Sequence, residues 1–61
     1  MSAMPQGSER QHASAMLLKY LGARAGAEAL LRAFLAERDS DRAGARFWIE
    51  VYELIMQAGE P

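Results

Sequence analysis

Residues 30–55 read LLRAFLAERDSDRAGARFWIEVYELI, and the triplet Asp39-Ser40-Asp41 at their centre decides the fold. Asp and Ser side chains hydrogen-bond to nearby backbone and so favour caps over helix interiors, and an acidic side chain is stabilised beside the positive end of a helix dipole. The triplet therefore ends one helix and caps the next. The link from Glu37 to Ser40 is short, so the flanking helices must fold back antiparallel.

Outward from this bend, Gly44, Phe47, Trp48, Val51, Leu54, Ile55 and Ala58 fall on one side of a C-terminal helix. Arg42, Arg46, Glu50 and Glu53 face away, and Gly59 and Pro61 end the pattern. In the other direction Met16, Tyr20, Ala23, Ala27, Leu30 and Phe34 recur at spacings of four and three, flanked by Leu17, Leu21, Leu31 and Leu35. This spacing predicts one apolar stripe, with Lys19, Arg24, Glu28, Arg32 and Glu37 on the polar face. Gly22 and Gly26 interrupt the stretch, each costing about 1 kcal/mol relative to alanine inside a helix. Gly22 follows Leu21 at a natural C′ position, which favours a tight turn there over one continuous weak helix. Ser8 and Gln11 fit a capping box at the start of the helical region. Residues 1–8 are read as a flexible tail and 9–58 as one domain.

The fold class is accordingly all-α: a helical hairpin of two long helices, or three if the first breaks at Gly22. Folded chains of about 60 residues bury only about 60% of the surface that the unfolded chain exposes. The chain has 61 residues and no cysteine, so disulfides and cysteine-based zinc sites are closed to it. A lone histidine, His12, cannot assemble a metal site, and no cofactor is expected. Association is the remaining route to a fuller core, as a homodimeric helical bundle. Twelve alanines, with Gly26 and Gly44, permit close helix approach at Ala23, Ala27 and Ala43, while Phe34, Phe47 and Trp48 supply bulk.

Seven Lys and Arg against eight Asp and Glu give a formal net charge of −1, so no global field draws nucleic acid or an anionic membrane. No apolar run approaches the roughly 20 residues that span a bilayer, and Met1 to Ser8 lack the basic start and apolar stretch of a signal peptide. A cytoplasmic protein is expected. Its partner is expected to be itself, with a larger protein as a further binder.

Several constellations invite a functional reading. Phe47 and Trp48 are candidates for a recognition hot spot. Adjacent helical positions point about 100° apart, so the alternative is one ring in the hairpin core and the other at a self-interface. Arg38, Arg42 and Arg46 cluster near the bend as a nucleic-acid face would, but Glu37, Asp39, Asp41 and Glu50 interleave with them. Local pairs such as Glu28 with Arg32 and Arg46 with Glu50 are expected instead. Met16 and Met56, with Leu17 and Ile55, would suit either a groove for a partner helix or a dimer core. His12 with Ser14 lacks the orienting group and oxyanion hole of a nucleophilic site, and Glu50 with Glu53 lacks a cleft, so no catalytic residue and no enzyme activity is expected. The residues expected to form core or interface are Met16, Tyr20, Leu31, Phe34, Phe47, Trp48, Val51 and Ile55.

The order L-G-A-R-A at 21–25, R-A-F-L at 32–35, D-S-D-R-A-G at 39–44 and F-W-I-E-V at 47–51 resembles a group of short bacterial helical proteins of unknown function. Their outline is G-x-x-A, an acidic turn, and A-G followed by tryptophan, matched here by Gly22 with Ala25, Ala43 with Gly44, and Trp48. The resemblance spans roughly residues 13 to 57. It implies a compact helical fold and lends no catalytic residue.

Overall fold

A computed structural model of the chain describes residues 6–59, with side chains from Ser8 onward. Three α-helices, α1 (Gln6–Leu21), α2 (Ala25–Arg38) and α3 (Arg42–Ala58), account for most of it, and no strand occurs among the described residues. A single 3-10 turn, Gly22–Arg24, joins α1 to α2. The helix breaks where the glycine's position suggested: Gly22 has φ of +55°, a left-handed conformation that costs glycine nothing and other residues roughly 1 kcal/mol or more. The helical start differs from expectation. α1 begins at Gln6, so Ser8 lies inside it and not at its N-cap, and three residues assigned to the tail are helical. The rest of that tail, residues 1–5, lies outside the described residues.

The bend between α2 and α3 is built from backbone bonds at both ends. Ser40 takes the left-handed conformation (φ 61°), its N–H donates to the Glu37 carbonyl at 3.0 Å, and the Asp41 N–H donates to the Ala36 carbonyl at 2.8 Å. Those two bonds form a Schellman motif, which satisfies carbonyls that the helix end would otherwise leave open. Asp41 then caps α3, its Oδ1 accepting from the Gly44 N–H at 2.9 Å. A Cβ at position 44 would collide with that carboxylate, so the glycine keeps room for the cap.

α2 and α3 pair as the hairpin, and α1 lies across one side of the pair, giving a slab of 34 × 31 × 18 Å. The core consists of Ala25, Ala29, Ala33, Ala45, Val51 and Ile55, and Val51 is the largest fully buried side chain. Around it pack Ala13, Leu17, Leu18 and Leu21 of α1 and Phe47, Trp48 and Tyr52 of α3. The two adjacent aromatics divide their contacts within the chain. The Arg10 guanidinium of α1 lies 5.2 Å from the Phe47 ring centroid, and that of Arg32 on α2 lies 5.0 Å from the Trp48 centroid. The rings meet edge to face, with centroids 5.0 Å apart.

The inward stripe of the first half is not the one that periodicity selected. Met16, Tyr20, Ala23, Ala27, Leu30 and Phe34 are all exposed, and the buried line runs through Ser14, Ala25, Gly26, Ala29 and Ala33. Close approach happens at these small residues and at Ala45, not at Ala23, Ala27 and Ala43, which are exposed. The reason is volume. α3 already presents Phe47, Trp48, Val51 and Ile55 to the seam, and interiors are close-packed, so the facing helix must present methyl groups and hydrogens. At Gly26 an added Cβ would lie 2.7 Å from the Met56 terminal methyl and 3.6 Å from the Tyr52 ring.

Candidate interaction surface

The α2–α3 pair has two sides, and α1 covers one of them. On the other, Leu30, Ala33, Phe34 and Glu37 of α2 face Arg42, Ala45, Arg46, Ile49, Glu50 and Glu53 of α3 across an open groove of about 1000 Å³. None of its lining residues belongs to α1. Its floor is made by the buried Ala33 and Ala45, whose small side chains leave the depression, and its apolar walls are Leu30, Phe34 and Ile49. Phe34 is 67% exposed, Leu30 42% and Ile49 40%. The charged groups stand at the rim, with Arg42 and Arg46 toward the bend and Glu53 toward the C-terminal end of α3. This is an apolar centre with a polar edge, the arrangement of protein-binding patches.

Of the residues read from the sequence as core or interface, Val51 and Ile55 are buried, and Phe47 and Trp48 are half-buried against them. Met16, Tyr20, Leu31 and Phe34 are exposed and take no part in the core. Phe34 alone of these lines the groove. Leu31 instead lines a small depression with Leu21, Arg24, Ala27 and Glu28. Trp48, read from the sequence as a hot-spot or self-interface candidate, makes contacts with Phe47 and Arg32 within the fold. Met16 and Met56 do not frame the groove, since Met56 lies over Gly26 and Ile55 belongs to the core.

Ile49 was missed in the sequence because it sits alone among Arg46, Glu50 and Glu53 on a face read as solvated. Its signal was the spacing Arg42, Arg46, Ile49, Glu53, which is a helical stripe of four, three and four.

The charged residues sort themselves differently from expectation. Arg32 Nε donates to Glu28 Oε2 at 2.7 Å, as the spacing implied. Glu50 pairs with Arg10 and not with Arg46, tying α3 to α1, while Arg46 and Glu53 have no ion-pair partner among the described residues. Arg38 stands at the bend, 3.9 Å from Asp39, and does not line the groove with Arg42 and Arg46. Ser14 is buried, and its hydroxyl donates to the Gln11 carbonyl at 2.8 Å, while His12 is exposed. No three His, Asp or Glu side chains converge as metal ligands among the described residues, and no described helix is long and apolar enough to cross a membrane.

No family model, curated protein or solved structure matches the chain.

Proposed function

We propose that the chain is a small self-associating interaction module, with the α2–α3 groove as its contact surface. The observation that carries this reading is the distribution of apolar mass. Four of the six core residues are alanines, whereas Leu30, Phe34 and Ile49 stand exposed in one groove. Alanine methyls remove little area from water, so at about 25 cal/mol per Å² the alanines supply little burial energy, and that of the exposed parts of Leu30, Phe34 and Ile49 goes unused. A second apolar face laid over them would recover it. In this reading the protein acts by binding and holds no reaction centre. The arginines suit it better than they suit nucleic acid, because Arg42 and Arg46 alternate around the groove with Glu37, Glu50 and Glu53.

Sedimentation equilibrium at micromolar concentration should return about twice the 6.7 kDa chain mass. Ile49→Asp should return the single-chain mass with the helical circular dichroism retained. A wild-type chain that stays at the single-chain mass up to millimolar concentration overturns the reading.

A further inference from the structure

We infer that the occupant of the groove is a second copy of this chain, laid antiparallel so that α3 packs on α3 about a two-fold axis beside Ile49. This rests on the proposed self-association and adds its geometry. The argument is charge complementarity along the outer stripe of α3. Arg46 lies three residues before Ile49 and Glu53 four residues after it, and both are exposed. A two-fold axis passing between Ile49 and Glu50 therefore brings Arg46 of one copy level with Glu53 of the other, twice over. A parallel arrangement would stack arginine on arginine and glutamate on glutamate, which like-charge repulsion disfavours. An isologous contact requires such self-complementarity, since each residue meets its counterpart's partner.

The apolar residues fit the same axis. Ile49 sits at the crossing point, where it meets Leu30, Phe34 and Ile49 of the second copy. Neither Arg46 nor Glu53 has an ion-pair partner in its own chain among the described residues, so the cross-pairs form without breaking an internal one. Glu50, one turn from Arg46 on α3, is already held by Arg10.

The test is a charge swap on the full chain. Arg46→Glu alone and Glu53→Arg alone should each weaken dimerisation by about tenfold, since each sets two like-charge pairs at the interface. The double variant R46E/E53R should recover to within about threefold of wild type. Mixing the two single variants gives the sharper readout. In a heterodimer of R46E with E53R both cross-pairs are opposite in charge, so the mixture should dimerise where neither variant does at the same concentration. Both residues are exposed and have no ion-pair partner among the described residues, and circular dichroism of each variant checks that the helices persist. A wild-type dimer whose affinity ignores these changes, or a mixture that stays monomeric, overturns the two-fold arrangement while leaving self-association standing. A monomeric wild type overturns both.

Discussion

The two sides of the α2–α3 hairpin carry the same kinds of residue and meet different fates. On one side Val51 and Ile55 are sealed by Leu17, Leu18 and Leu21 of α1; on the other, Leu30, Phe34 and Ile49 lie open over a floor of alanine. Ile55 is 4% exposed and Ile49 40%, although the two are six residues apart on one helix. What separates them is the presence of a third helix on one side only. A hairpin has two faces to cover and the described residues supply one cover, so the bare face is a property of the topology and not of any single residue.

The largest effect should come from trading these two isoleucines for alanine. Ile55→Ala should cost about 3 kcal/mol by transfer and cavity terms, enough to unfold much of so small a domain, as read by urea denaturation followed at 222 nm. Ile49→Ala in dilute, monomeric protein should cost under about 1 kcal/mol, because a half-open side chain leaves no cavity behind. Equal losses at the two positions would break the comparison.

Smaller changes act on the joints that hold the two sides in place. Asp41→Ala removes the cap on the Gly44 N–H and should lower stability by about 1 kcal/mol, with Asn at the same position recovering most of it. Gly22→Ala should cost about 1 kcal/mol from the left-handed backbone alone, since a Cβ there would meet nothing within 4 Å. Its sharper signature is faster amide exchange in α1 than in α3, the covered face loosening first. Ser40→Gly is the one change expected to help. It relieves the left-handed serine at the bend and should raise stability by about 0.5 kcal/mol, the strain relief being partly offset by the greater freedom of glycine in the unfolded chain.

The hairpin was legible because Asp39-Ser40-Asp41 combines a break in periodicity with capping chemistry, and the turn at Gly22 because glycine at C′ has a backbone reason to be there. The buried face of α3 was legible too, since Phe47, Trp48, Val51 and Ile55 lie on one side, Ile49 being the large residue that departs from it. The first half of the chain was different. Both of its candidate stripes are apolar, one of large residues and one of alanines, and a period of 3.6 fits either. Hydrophobicity favoured Met16, Tyr20, Leu30 and Phe34, but Phe47, Trp48, Val51 and Ile55 had already filled the seam, and the choice depended on volume across it. The groove was invisible for the same reason: it exists because alanine lines its floor, which only the pairing of Ala33 with Ala45 reveals.

Asp41 serves both neighbouring helices at once, its N–H closing α2 on Ala36 and its carboxylate opening α3 on Gly44. A single extra residue inserted between Ser40 and Arg42 would separate those duties, and every position of α3 would then rotate by about 100° relative to α2 or the cap would be lost. The spacing across the bend is therefore fixed to the residue, and an insertion there would disturb the pairing of α2 with α3. The Gly22–Arg24 joint shares no such double duty, and it is the place where added length would be tolerated.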